Sequence, residues 1–423
     1  MPFSSAFKSA AVAIVSLCPL SAAFFVKDGD RVVFYGDSIT DQRIYTAFTE
    51  AFVLQRYPEM RVAFTNSGVS GDRVTGGAAG ATDVRLRRDV LPYKPTVVTI
   101  MLGMNDGGYT AFDPELFKTY STGYRNMVEV LRMALPDLRM TLIEPSPYDD
   151  ITRPPKFPGG YNKVLIRYGE FVRDLAKREK VGSADLNSYV EKALREAYTK
   201  NPELAQTFIP DRVHPSVAAD MLMAAALLKS WNAPAVVTSV EIDAQAGSIV
   251  GFQNTAVHDL RNTDGGVAWT QLDRSLPMSI DWSDAALKLA VQCSDIMTAL
   301  DQEPLRVRNL GPGKYTLRID GQAVGDFTAT QLDAGINLAE LSTPMSAQAK
   351  DVLMATFHHN EMHFARWRLV EFSLEKYKLE GKRAAVEALD RLEEEVVAAQ
   401  RALAQPKEHQ YEVIRVEKVS RHE

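Results

Sequence analysis

The chain has 423 residues, 46% hydrophobic and 24% charged. That is enough apolar material for a sizeable core, and it excludes wholesale disorder. At roughly 100–200 residues per domain, the length predicts two or three domains. A net charge of −6 offers no basic footprint for nucleic acid, and two cysteines, Cys18 and Cys293, rule out a disulfide scaffold.

In residues 1–23 Lys8 is the only charged side chain. An apolar run follows from Ala10 to Leu20, and Ser21, Ala22 and Ala23 close the segment. A positive start, a short apolar stretch and small closing residues mark a cleavable export signal. The mature chain is therefore expected to be secreted or periplasmic. One alternative places a lipid on Cys18, but the bulky Leu17 stands where that signal needs a small residue; the other is a buried N-terminal helix. The apolar run is shorter than the about 20 residues that cross a bilayer, and no later window reaches about 18 continuous apolar residues, so no integral membrane segment is expected in the mature chain.

Residues 24–234 alternate short apolar runs with helical stretches. The runs are Val32–Tyr35, Val62–Phe64, Thr96–Leu102, Met140–Ile143 and Val181–Leu186; helices are predicted at about 44–56, 163–180 and 217–231. Continuous apolar strands separated by helices predict a parallel sheet covered on both faces. In such sheets the chemistry lies beyond the carboxyl ends of the strands.

Residues 235–375 change character. Val236–Ile242 and Leu305–Val307 read as strands, and Lys314–Ile319, Asp320-Gly321 and Ala323–Thr328 read as a hairpin. This part is predicted to be a β-rich accessory domain, sandwich-like, with a helical interruption near 344–356. Residues 376–423 form a charged helix and a C-terminal tail. In that helix Val386, Leu389, Leu392, Val396, Ala399 and Leu403 make one apolar stripe, ended by Pro406.

The strand ends of the first part carry the polar residues. They read Gly36-Asp37-Ser38-Ile39, Asn66-Ser67-Gly68-Val69-Ser70-Gly71 and Gly103-Met104-Asn105-Asp106, followed later by Asp211-Arg212-Val213-His214-Pro215. A serine hydroxyl needs a base to become a nucleophile. Between Phe24 and Pro234 the only histidine is His214, so a serine mechanism in this part must use it. Asp211, three residues earlier, is spaced to hold the imidazole. Ser38 and Gly71 can offer backbone N–H groups to an oxyanion and Asn105 a side-chain amide, with glycine at 71 letting the backbone approach substrate. Each block alone also fits a plain turn.

Taken together and in this order, the four blocks resemble the SGNH (GDSL-like) hydrolases. The resemblance covers about residues 30–234, with Ile39 where many members have leucine. It implies a flavodoxin-like three-layer α/β/α fold and a Ser38–His214–Asp211 triad. It also implies an oxyanion hole of Ser38, Gly71 and Asn105, and needs no cofactor or metal. The expected activity is ester hydrolysis through an acyl-serine, with deacetylation of a poly- or oligosaccharide favoured. The alternatives are a lipid or aryl esterase, or an inactive binding protein on the same scaffold.

Three weaker features complete the reading. His359 and His363 are four apart, as helix-borne zinc ligands would be, but they lack a His-Glu-x-x-His pattern and precede the β-like Phe364–Phe372. Gly76–Gly80 is glycine-rich without the Gly-Lys-Ser/Thr ending of a phosphate loop, and reads as a flexible rim of the active site. Trp269, Trp282 and Trp367 read as core before they read as sugar platforms.

Overall fold

The computed structural model describes residues 23–416. The expected export signal, apart from Ala23, and Cys18 lie outside the described residues.

The first half is built on five parallel strands: β1 (Arg31–Gly36), β2 (Ala63–Gly68), β3 (Val97–Met101), β4 (Arg139–Ile143) and β5 (Gly182–Ala184). Their order is β2-β1-β3-β4-β5, the flavodoxin-like arrangement. β3 is buried at every residue, as its run of apolar side chains, interrupted only by Thr99, requires. Helices α1 (Ser38–Asp41), α2 (Ile44–Arg56), α3 (Thr82–Asp89), α4 (Pro114–Ala134), α5 (Asn162–Glu179), α6 (Leu186–Lys200) and α7 (Val217–Ser230) connect and flank the strands. α4 starts where Asp113 accepts the N–H groups of Glu115 and Leu116 and Pro114 needs no partner of its own.

Among the described residues the second half contains nine strands: β6 (Ser239–Asp243), β7 (Ser248–Gln253), β8 (Thr255–Thr263), β9 (Gly266–Asp273), β10 (Pro304–Arg308), β11 (Lys314–Ile319), β12 (Gln322–Thr328), β13 (Ile336–Asn337) and β14 (Glu408–Arg415). They form a sheet of order β8-β9-β14-β11-β12 and another of order β13-β10-β6-β7. Val267, Trp269, Leu317, Tyr411 and Val413 of the first sheet share one core with Val240, Ile242 and Val307 of the second. The predicted hairpin is the β11–β12 pair. β14 lies between β9 and β11, so the residues after Pro406 supply a central strand. Its alternation buries His409, Tyr411 and Val413, and Trp269 stacks on Tyr411 with ring centroids 5.1 Å apart.

Helices α8 (Ala285–Gln292), α9 (Pro344–Phe364) and α10 (Glu380–Leu403) tie the halves together. The sequence reads Phe364–Phe372 as β-like. Instead, residues 365–372 continue α9 as a wider helical turn, placing Trp367 against Val69 and Ala79 of the first half. Met278, Leu287, Val291, Cys293, Ile296 and Leu353 pack into the core of the parallel-sheet half. Packing therefore continues across residue 234. The consequence is visible in α2, where every residue from Tyr45 to Arg56 is buried, Glu50, Gln55 and Arg56 included. No helix among the described residues is long and apolar enough to cross a membrane.

Candidate active site

Ser38 follows directly on β1 and opens α1, where Asp37 accepts the N–H of Ile39 at 3.1 Å. β2 ends beside it. Asn66 donates to Thr40 O at 2.8 Å and to Thr46 Oγ1 at 3.0 Å. A Cβ on Gly68 would sit 2.3 Å from Asp41 N, so only glycine lets the second strand end pass this close to α1. Beyond it Asp41 Oδ2 accepts from both Ser70 N and Ser70 Oγ, drawing the following loop toward Ser38. At Gly71 a Cβ would meet open space, but φ is +80°. The left-handed backbone favours glycine at this position.

His214 Nε2 lies 2.8 Å from Ser38 Oγ, and His214 Nδ1 lies 2.6 Å from Asp211 Oδ2. The other Asp211 oxygen accepts the backbone N–H groups of Val213 and His214 at 2.9 and 2.7 Å. Between them Arg212 adopts φ +74°, uncommon for a side chain this large. Its guanidinium anchors the turn by donating to Asp149 O and Pro154 O. Burial pushes Asp211 upward, but the His214 ring and the two N–H groups outweigh it and hold the carboxyl below the usual range. The dyad is open to solvent, with the side chains of His214 and Asp211 38% and 55% exposed.

Asn105 comes from the loop after β3 and donates through Nδ2 to Asp72 O at 3.0 Å. Asp72 is the residue after Gly71, so the loops that follow β2 and β3 meet here. Asp106 Oδ1 adds a second tie by accepting Val74 N at 2.9 Å. Burial raises Asp106 to about 7, and it raises Asp37 to about 7 as well, with the charges of Asp106 and Asp72 adding to the effect at Asp37. The side chain of Asp72 is fixed from below by Arg85, whose Nε donates to Asp72 Oδ2 at 2.9 Å while its Nη1 donates to Asp89 Oδ2 at 2.6 Å. These three side chains are fully buried. Trp367, from the second half, donates through Nε1 to Asp89 Oδ1 at 3.0 Å.

All five residues singled out in the sequence, Ser38, Gly71, Asn105, Asp211 and His214, thus gather beyond the carboxyl ends of the parallel sheet, the side that a doubly wound fold uses for ligands. Residues 34–220 match the model of the GDSL-like Lipase/Acylhydrolase family. The first half is a GDSL-like hydrolase domain. The match makes the chain a hydrolase of carboxylic esters. An acetylxylan esterase from Geobacillus stearothermophilus is 26% identical over 224 residues, covering 48% of this chain and 94% of that protein. A crystal structure of an acetylxylan esterase of the same organism, 25% identical, covers 49% of this chain and 96% of its own, with a TM-score of 0.40. A gut microbial diltiazem-metabolizing enzyme superposes with a TM-score of 0.80 at 24% identity, over 92% of this chain and 98% of its own. That structure shares the fold of both halves.

Of the weaker sequence candidates, the glycine-rich stretch runs beside the site, where a Cβ on Gly77 would lie 3.3 Å from Gly71 O, and the two histidines pair with carboxylates. His359 Nδ1 is 2.8 Å from Glu50 Oε1, and His363 Nδ1 is 3.2 Å from Glu393 Oε1. No group of three or more His, Cys, Asp or Glu among the described residues is arranged to hold a metal. Gly76-Gly77 and Gly80-Ala81 pair as a tiny antiparallel ladder. Trp269 and Trp367 are buried. Sequence reasoning missed Tyr109, whose hydroxyl donates to Asn105 Oδ1 at 3.0 Å; its place four residues on, beyond two glycines, was the available hint.

Proposed function

We propose that the protein is an exported serine esterase that removes short acyl groups, acetyl foremost, from a carbohydrate. The observation that carries the serine mechanism is the unbroken chain from Ser38 Oγ through His214 to Asp211, at 2.8 and 2.6 Å. His214 Nε2 takes the Ser38 proton as Oγ attacks the ester carbonyl. Asp211 keeps the other ring proton on Nδ1 and stabilises the imidazolium. The N–H groups of Ser38 and Gly71 and the Asn105 amide receive the oxyanion. The imidazolium then protonates the leaving alcohol, and water repeats the sequence on the acyl-serine.

Two observations support a short acyl group on a bulky, solvated alcohol. The His214–Asp211 pair is open to solvent, with Ser38 half-buried beside it. The cavities of about 680 and 730 Å³ lie elsewhere, one between β2 and helices α9 and α10 and the other beside Trp282. The acetylxylan esterase relative adds weight to acetyl and to a polysaccharide. The sequence of residues 1–23 supports export. A second reading, an aryl esterase, is favoured by the exposed Tyr109 ring next to Asn105, which lies tilted against Tyr161 and Tyr148 with centroids 5.0 and 6.2 Å away.

The deciding experiment compares acetylated xylan and pectin with p-nitrophenyl acetate and longer p-nitrophenyl esters, with Ser38→Ala as control. Acetate release from the polysaccharides that disappears in the variant is expected. A rate that climbs with acyl length would overturn the carbohydrate reading, and high activity on the aryl acetate alone would favour the second.

A further inference from the structure

An oxyanion amide works only when its N–H faces the reacting carbonyl. The terminal amide of asparagine is nearly symmetric in shape, so its orientation is set by hydrogen bonds. In Asn105 one bond is decisive on the nitrogen side: Asp72 O, being a carbonyl, only accepts, so Nδ2 must face it. One Nδ2 proton is used there, which leaves the second for an oxyanion. The amide oxygen points the other way and meets the Tyr109 O–H at 3.0 Å.

Tyr109 is held in place with unusual care. Its φ is +57°, a left-handed conformation that is a genuine outlier for a bulky side chain. Strain of that kind persists where surroundings over-determine it, and it clusters at functional sites. Here the ring is flanked by Tyr161, whose own hydroxyl donates to Met104 O at 2.6 Å, and by Tyr148. Burial, followed by the charges of Asp37 and Asp211, pushes the phenol up to about 12. It therefore stays a donor through the working pH range.

We infer that Tyr109 is a positioning residue, whose hydroxyl locks the Asn105 amide with Nδ2 toward the oxyanion. The inference rests on the serine-esterase reading above. Without Tyr109 O–H, only the Asp72 contact opposes rotation of the amide, and its free proton is no longer aimed.

Tyr109→Phe tests this directly, because it keeps the ring and the backbone and removes one hydroxyl. Misaiming the donor should cost less than deleting it, which is worth about 10²–10³. We expect kcat on p-nitrophenyl acetate to fall about 5- to 20-fold, with KM changed less than about twofold and the melting temperature unmoved. Affinity for a boronic acid that forms a tetrahedral adduct on Ser38 should fall in parallel. In an Asn105→Ala background the Tyr109 change should have no further effect, since both act through one amide. Unchanged kcat, a rise in KM alone, or a full additional loss in the Asn105→Ala background would each overturn the assignment. Substantial activity in Ser38→Ala would instead overturn the esterase reading; a dead Ser38→Ala beside an unaffected Tyr109→Phe would overturn the positioning role alone.

Discussion

The two halves of the chain use their polar residues in opposite ways. In the parallel-sheet half, the polar groups of the site collect beyond the strand ends, and their hydrogen bonds stay within that half. In the second half several buried polar side chains reach across. His359, Asn360 and Gln400 all bond to the carboxylate of Glu50. Arg56 meets Asp301 at 3.5 Å and Leu300 O at 2.7 Å, and Trp367 meets Asp89. α10 also covers the β2 edge of the parallel sheet, where Arg401 donates to Val62 O at 3.0 Å. An uncovered edge strand is a template for aggregation. The contrast teaches that a catalytic constellation can sit on one half while the fold that carries it belongs to both.

The bluntest way to break this comparison is to cut between the halves. If residues 24–234 were a self-sufficient domain, that fragment would fold and hydrolyse esters. The structure predicts otherwise, because the cut uncovers α2 with its buried Glu50, Gln55 and Arg56 and opens the core shared with Leu287, Ile296 and Leu353. We expect an aggregating fragment without cooperative unfolding or activity. A soluble, active fragment would show that the halves are independent. Next in size is the chemistry itself: Ser38→Ala should lower kcat by at least about 10³-fold with little change in stability. That pairing, activity lost and fold kept, is the reverse of what changes in the second half should do.

The difference also explains what was legible in the sequence. Ser38, Gly71 and Asn105 could be read because each lies just past an apolar run whose strand nature is local. His214 could be read because no other histidine precedes residue 235. β14 could not be assigned, although Glu408–Arg415 alternates correctly, because its neighbours β9 and β11 lie more than 90 residues earlier and Pro406 looks like an end. Phe364–Phe372 has strand-like composition, and only the sites waiting for its aromatic rings make it helical: Trp367 on Val69 and Ala79, Phe372 under the Arg88 guanidinium. Tyr109 escaped because its role follows from a left-handed backbone that local sequence does not announce.

Trp367 gives a sharper test of the coupling. Trp367→Phe keeps an aromatic ring against Val69 and removes the N–H that serves Asp89. A hydrogen bond to a charged group contributes about 1.5–3 kcal/mol, and Asp89 keeps Arg85 and Arg88 as partners. A loss of about that size in chemical denaturation is expected, with kcat changed far less than in Ser38→Ala. A change below about 0.5 kcal/mol, the scale of an ordinary surface substitution, would mean that this contact does not hold the halves together.

The last and smallest effect is a dependence on pH. Burial alone would push His359 down, but Glu50 at Nδ1 and Glu393 at Nε2 overcome it and lift the imidazole to about 10. Burial likewise pushes Glu393 up, and the hydrogen bonds from His359 and His363 outweigh it, bringing the carboxyl to about 2. Asn360 and Gln400, which also bond Glu50, do not titrate. A raised histidine contributes stability that is complete below its unfolded value of 6.5 and is lost as pH rises through the folded one. A depressed carboxyl contributes above its unfolded value of 4.5 and loses that contribution as pH falls toward 2. Both contributions are therefore whole only between 4.5 and 6.5, and above that window His359 erodes stability by at most about 1.4 kcal/mol per pH unit. Thermal melts from pH 6.5 to 9.5 should slope downward in the native chain and less steeply in His359→Gln. Since Glu50 belongs to one half and His359 and Glu393 to the other, equal slopes would remove charge from the account of what joins them, leaving the apolar packing of Leu353 and the residues around α8 to do it.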